Sequence, residues 1–212
     1  MLKKGEQTRE LILECAEKVF SQKGYYESQV SDISEMAHVA KGTVYQYFTN
    51  KESLFVSLIE KYVVEWEKAV FLDLKDFTGS GYAKDYARAY LRHRLGNTIG
   101  FFAKNQDRAN IILRMSPGLN EVIEQVIRIF EEKVMKAITD DIAIGQRFGH
   151  ISKDLNIELA GNAILGGVLR ISFFYFVIKK ESYSKHNEES IADELVKLVE
   201  NTLNMYQPAN KD

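Results

Sequence analysis

Residues 41–47 read Lys41-Gly42-Thr43-Val44-Tyr45-Gln46-Tyr47, and among them are the side chains best suited to reading a nucleic acid. Thr43 offers a hydroxyl to a base edge and a methyl group to thymine. Gly42 has no side chain, so the backbone there can come close to a groove. Tyr45, Gln46 and, a little further on, Lys51 can hold phosphate oxygens, which fixes register without reading sequence. The order fits too, because a recognition helix meets base edges with its N-terminal residues.

Those side chains require two short helices joined by a tight turn. Apolar spacing predicts the first over about 30–37, with Ile33, Met36 and Ala37 facing inward. The second covers about 41–47, with Val44 and either Tyr47 or Phe48 inward. Apolar residues at 33, 39 and 44 give the pair the shape of a helix-turn-helix. Taken alone, the pattern also fits two amphipathic helices that merely pack on the helix before them. That first helix reads from about 6 to 22, with Ile12, Cys15, Ala16, Val19 and Phe20 as its stripe and Gly24 as its stop. Thr49 and Glu52 are placed as a capping box for a long helix running to Phe71.

Further helices are expected over about 82–103, 106–115, 119–143, 155–179 and 188–205. A break over 73–81, Pro117-Gly118 and a loop over 145–153 separate them, and Asn187 is the expected N-cap of the last. The fold class is therefore all-α, with about nine helices in two domains. Residues 1–50 form a three-helix DNA-binding domain, and residues 51–212 a helical ligand-binding and dimerisation domain.

Bulk charge does not announce a nucleic acid. The 212 residues carry a net charge of −2, and residues 1–51 balance seven cations against seven acids. The argument for DNA rests on placement. Cys15 is the single cysteine, which excludes an internal disulfide framework and fits a reducing cytosol. The polar N-terminus lacks the apolar stretch of a signal peptide, so a cytoplasmic protein is expected. Residues 157–178 are long and apolar enough for a membrane span. Arg170 well inside them costs about 2.5–3.5 kcal/mol there, and the reading adopted is a helix packed on its own core and on a partner subunit. Glu35-xx-His38 is half of a di-iron motif, but no second half exists, so neither metal nor cofactor is expected. With no phosphate loop or nucleophile elbow, an enzyme is not expected.

Two helical surfaces remain. On 82–103, Tyr90, His93, Asn97 and Phe101 share a mixed aromatic and polar face, beside a plain apolar face of Leu91, Leu95, Thr98 and Phe102. The mixed face suits a ligand pocket wall, or equally a solvent edge. Over 155–179, Gly161, Ala163, Gly166 and Gly167 allow close helix approach, and Leu165, Leu169, Phe173 and Phe176 form a ridge. With Leu195 and Leu198 of the last helix these are the expected dimer interface, the alternative being burial within one subunit.

The run Arg9…Ile12-Leu13…Ala16…Val19-Phe20…Gly24-Tyr25…Val30…Ile33…Val39-Ala40-Lys41-Gly42-Thr43-Val44-Tyr45-Gln46-Tyr47-Phe48…Asn50-Lys51-Glu52…Leu54 resembles the N-terminal domain of TetR-family repressors. The resemblance implies that the 41–47 helix enters the major groove and that Lys51 meets phosphate. It also implies that the last two long helices pair into a four-helix bundle across a two-fold axis. The implied partners are double-stranded palindromic operator DNA, a second copy of the chain, and a small effector that releases the DNA. Three residues depart from the family pattern. His38 replaces the turn glycine, and Ala40 replaces a hydroxyl cap. Gln29 stands where a phosphate-binding hydroxyl is common, so Ser28 or Ser31 substitutes for it. Gly24–Ser31 further resembles fatty-acid-degradation repressors of the family, which bind long-chain acyl-CoA. That implies a hydrophobic effector, an acyl-CoA being the leading candidate and a planar aromatic or cationic compound the alternative. Separately, Trp66, Phe101, Met115, Phe130 and Phe173 are expected to line a chain-sized tunnel, with Arg92, Arg94, Arg108 and Arg114 on hand for CoA phosphates. The rival readings are a helical-bundle enzyme and a DNA-binding module with no ligand.

Overall fold

Only two prolines interrupt the chain, and the computed structural model is built from helices, with no strand among the described residues. It describes residues 4–71, 84–114, 121–180, 185–203 and 205. In order the helices are α1 (Lys4–Glu27), α2 (Val30–Met36), α3 (Lys41–Tyr47), α4 (Lys51–Val70), α5 (Lys84–Ala103), α6 (Gln106–Leu113), α7 (Glu121–Arg147), α8 (Ile157–Ser172) and α9 (Lys185–Thr202). A π-helical turn, Phe173–Ile178, extends α8. The 73–81 break, Pro117-Gly118 and Met115 lie outside the described residues.

The chain divides into two compact units, Met1–Glu65 with Asn105–Phe130, and Trp66–Lys104 with Glu131–Asp212. The chain crosses between them three times, within α4, between α5 and α6, and within α7. The first unit is built on the predicted stripe of α1, and Ile12, Leu13, Cys15, Ala16, Val19 and Phe20 are all buried. Phe55 and Tyr62 of α4 are fully enclosed beside them, each contributing about 1.5–3 kcal/mol by burial. Phe20 meets Phe55 edge-on, with ring centres 5.1 Å apart. The carboxylate of Glu17 ties three helices together: it accepts from the Tyr62 hydroxyl of α4 and from Asn105 at the head of α6, both at 2.8 Å. Burial around this hydroxyl pushes the Tyr62 pKa far up, so it stays a donor.

Several local expectations need correction. Gly24 does leave helical geometry, at φ 77°, but Tyr25–Glu27 make a further turn before α2. Met36 is on the surface at 37 % exposure, while Ile33 and Ala37 are the inward residues of this segment. Phe48, not Tyr47, fills the core below α3. The cap of α4 is shifted by one residue: Asn50 Oδ1 accepts from the Ser53 N–H at 2.7 Å, and Ser53 Oγ accepts from the Asn50 N–H at 3.2 Å. Because α4 starts at Lys51, Thr49 lies too early to cap and bonds instead to the Ser53 hydroxyl. Asn187 lies inside α9, which begins two residues earlier. Asn156 caps α8 and Asn105 caps α6, through bonds to Leu159 and Arg108.

In the second unit α5 packs along α9, and Gly96 brings the two close, its Cβ position 3.7 Å from Ala192. Trp66 is buried and donates its indole N–H to Thr98 at 3.2 Å. The 145–153 segment is not wholly loop. α7 runs through Gly145, against which Ile151 packs so tightly that a Cβ would sit 2.6 Å from its Cδ1. Gly149, at φ 76°, then turns the chain back. Ile157–Ile178 is long and apolar enough to cross a membrane by length and composition alone. One side of it is buried on its own unit through Ala160, Gly161, Ile164, Val168, Ser172, Phe176 and Val177.

Candidate nucleic-acid interface and effector cavity

The turn between α2 and α3 is held by the His38 and Val39 amides, which donate to the carbonyls of Glu35 and Ser34 at 3.1 and 3.0 Å. His38 takes the left-handed conformation at φ 53° that a glycine would adopt without strain. Ala40 caps α3 with its backbone alone, its carbonyl accepting from Thr43 N–H at 2.8 Å. Val44 and Phe48 anchor α3 inward. That leaves Lys41, Gly42, Tyr45 and Gln46 exposed and Thr43 half-exposed on one outward surface. Apart from its chain neighbours and its own helix backbone, nothing lies within 4 Å of where a Gly42 side chain would begin. Tyr47 is half-buried, its hydroxyl 3.5 Å from the Cβ position of Gly5 on α1. At the head of α2, Ser31 donates to the Gln29 amide oxygen at 3.3 Å, and Asp32 accepts from Gln29 N–H at 3.0 Å. Lys23, beside Asp32, holds that carboxyl below its ordinary range with help from the Gln29 N–H.

Lys51 does something its sequence position does not suggest. Its ammonium donates to the carbonyls of Tyr25, Tyr26 and Ser28 at 2.7, 3.2 and 2.9 Å, and lies 4.4 Å from the Tyr25 ring centre. These contacts occupy all three of its hydrogens at the end of α1, and none is left for a phosphate in this state. Burial there pushes its pKa down.

The second unit contains a cavity of about 120 Å³ between α5, α7, α8, α9 and the chain that follows α9. Its wall is mostly apolar, with Leu91, Leu95, Ile138 and Phe148 among its residues, and Tyr90, Arg94 and Asp141 form its main polar cluster. Tyr90 donates its hydroxyl to Asp141 Oδ1 at 2.8 Å and accepts from Arg94 Nε at 3.0 Å. Burial, reinforced by Asp141, pushes the Tyr90 pKa up to about 12, and burial also raises that of Asp141. A second cavity of about 40 Å³ is lined by Trp66, Thr98 and Leu165, and shares Arg94, Leu95, Ile138 and Asp141 with the first.

Of the residues expected at a ligand, Tyr90 lines the larger cavity and Trp66 the smaller. His93, Asn97, Phe101 and Phe173 line neither; Phe101 packs edge-on with Phe102, and Asn97 donates to the His93 carbonyl. Phe130 and Arg114 belong to the first unit, Phe130 buried and Arg114 exposed. The wall face of α5 is thus rotated from the one expected, running through Tyr90, Leu91, Arg94 and Leu95. Arg92 is paired with Asp193, Arg94 with Asp141 and Arg108 with Glu65. Asp141 lies 47 residues from Arg94, and no local pattern marks it in the sequence.

Of the expected interface residues, Gly161, Phe176 and Leu195 are buried within the chain. Gly161 serves contact with α7, since a Cβ there would lie 3.0 Å from Met135 Sδ. Leu165, Leu169 and Phe173 are half-buried. Gly166 faces open space, and Leu198 is 56 % exposed. Leu159, Phe174 and Ile178 of α8 and its extension are also exposed.

Residues 12–58 match the family of bacterial regulatory proteins, tetR family. The chain is 35% identical over 161 residues to the HTH-type transcriptional repressor NicS of Pseudomonas putida, a match covering 74% of this chain and 71% of that protein. It is 26% identical over 165 residues to the fatty acid metabolism regulator protein of Bacillus subtilis, covering 74% of this chain and 77% of the relative. In fold it is similar to the transcriptional regulator FadR of Bacillus subtilis in complex with stearoyl-CoA, with a TM-score of 0.74 at 23% identity, covering 90% of this chain and 96% of that one.

Proposed function

The chain belongs to the TetR family of bacterial regulatory proteins, a regulator of transcription rather than an enzyme, and from this we propose that it represses by binding palindromic operator DNA as a homodimer in the cytoplasm. The observation that carries the reading is the outward surface of α3, where Lys41, Gly42 and Thr43 stand open at the N-terminal turn above an anchored Val44 and Phe48. Thr43 reads a base edge, Lys41, Tyr45 and Gln46 contact the strands around it, and Gln29 and Ser31 meet phosphate. Residues 1–50 are the DNA-binding part and residues 51–212 the sensing and dimerising part. Two recognition helices must stand about 34 Å apart, or a multiple of it, to reach successive major grooves on one DNA face. An effector that prefers another spacing weakens operator binding by its differential affinity for the two states.

The effector is a small hydrophobic molecule bound in the cavity lined by Tyr90, Leu91, Leu95 and Ile138. The names of the relatives support a fatty acyl-CoA as the first compound to test. A cavity of about 120 Å³ is on the order of one that holds benzene, so a long acyl chain enters by moving the wall apart. Selection of bound fragments from random duplex DNA should return a two-fold symmetric site. Titrating that complex with acyl-CoAs of increasing length should then release it, affinity rising by about 0.8 kcal/mol per buried methylene. Release that is absent at every length, or independent of length, removes the acyl reading. Failure to recover any common site removes the operator reading.

A further inference from the structure

Two opposite charges stand in the wall of an otherwise apolar space, and their arrangement decides what can enter. Arg94 and Asp141 line both of the cavities described above. Arg94 Nε lies 3.1 Å from Asp141 Oδ2, and its Nη2 donates to Oδ1 at 3.2 Å. Its Nη1 donates to the Val70 carbonyl at 3.1 Å. Tyr90 bridges the two, donating to Asp141 and accepting from Arg94. Each charge therefore faces the other, and the Tyr90 hydroxyl is engaged in both directions. His150 is the remaining ionisable group of the larger cavity's wall. A carboxylate or ammonium entering this space gives up its hydration and meets a wall whose Arg94 and Asp141 charges already cancel; an apolar or neutral polar group suffers no such loss.

We propose that the Arg94–Asp141 pair, bridged by Tyr90, is a specificity device that admits the uncharged part of an effector and excludes free carboxylates and amines. The proposal rests on the reading of this cavity as the effector site and sharpens it. A fatty acyl group carried as a thioester or ester has a neutral buried part and enters, whereas the free acid does not. The pair also sets the direction of the exclusion. Asp141→Asn leaves the Arg94 charge without its partner, and the same space then favours a carboxylate.

The test is calorimetric titration of the full chain, without DNA, with octanol, octanoate and octylamine, which share one chain length and differ in charge. The titrations are run at about pH 8, where octanoate carries a negative and octylamine a positive charge. Octanol should bind at least about tenfold more tightly than either charged probe, and Asp141→Asn should raise octanoate affinity relative to octanol by about tenfold or more. Arg94→Gln leaves the Asp141 charge without its partner and should instead raise octylamine affinity relative to octanol. The proposal is overturned if wild type binds octanoate or octylamine as tightly as octanol, if no probe binds, or if folded Asp141→Asn keeps its preference. Should either variant fail to fold, the wild-type ranking and the other variant still decide. Failure of every probe to bind removes the cavity as the effector site itself, whereas a charged probe that binds as tightly as octanol removes the specificity device and leaves the cavity reading standing.

Discussion

Lys51 occupies the first position of α4, where the helix's own field disfavours a cation by about 0.3–1 kcal/mol. The offset comes from the other end of another helix: the three carbonyls it binds belong to Tyr25, Tyr26 and Ser28, and the Tyr25 ring lies against it. This lysine holds the corner from which α2 begins, and so sets where Gln29 and Ser31 stand. Lys51→Met should therefore lower the melting temperature and weaken operator binding, while the slope of log affinity against log salt stays unchanged. A slope shallower by about one unit would mean that Lys51 contacts a phosphate after all. The contrast with α3 shows which side chains a sequence exposes to reading. Gly42, Thr43, Tyr45 and Gln46 are adjacent, so helical period alone predicts that they flank an inward Val44, as they do. The partners of Lys51 lie 23 to 26 residues back, and Asp141 lies 47 from Arg94, so no local spacing reveals either contact.

Helix ends are where local chemistry and tertiary packing compete. Asn50 and Ser53 exchange bonds across the start of α4, so Asn50→Ala should cost about 1 kcal/mol in urea unfolding and Thr49→Ala only a few tenths. Equal costs would restore Thr49 as the cap. The helices themselves were readable because apolar residues recur every three or four positions, and each expected helix is present within a few residues. The ends were less so, because Gly24 breaks α1 without ending its last turn, and Gly145 lets α7 continue where a glycine suggests a stop. Gly145 is there for the approach of Ile151, which also lines the larger cavity. Gly145→Ala should destabilise by about 1–3 kcal/mol as Ile151 is displaced, and should change effector affinity with it. A stability unchanged within a few tenths would show that Ile151 moves aside freely.

Across the molecule, α8, its π-helical extension and α9 each have a buried side and an exposed apolar side. Leu159 is 71 % exposed, Leu198 56 %, Ile178 52 % and Phe174 39 %, alongside the open backbone of Gly166. Leaving so many large apolar side chains in water forgoes about 1.5–3 kcal/mol for each that could be fully buried, which a second copy of the chain would recover. A two-fold operator reader needs that second copy, because one recognition helix alone gives up the gain in effective concentration that links two half-sites. Gly166→Glu tests this cleanly, since nothing beyond its neighbours and its own helix backbone lies within 4 Å of the new side chain's root and the single chain should fold unchanged. Gly161→Leu is the contrast: it drives into Met135 and Thr139 and should damage the fold itself. Light scattering on Gly166→Glu should report half the wild-type mass, and operator affinity should fall on the order of a hundredfold. A dimer that survives both Gly166→Glu and Leu198→Glu would move the interface elsewhere, and a monomer that binds the operator as tightly as wild type would end the two-fold reading.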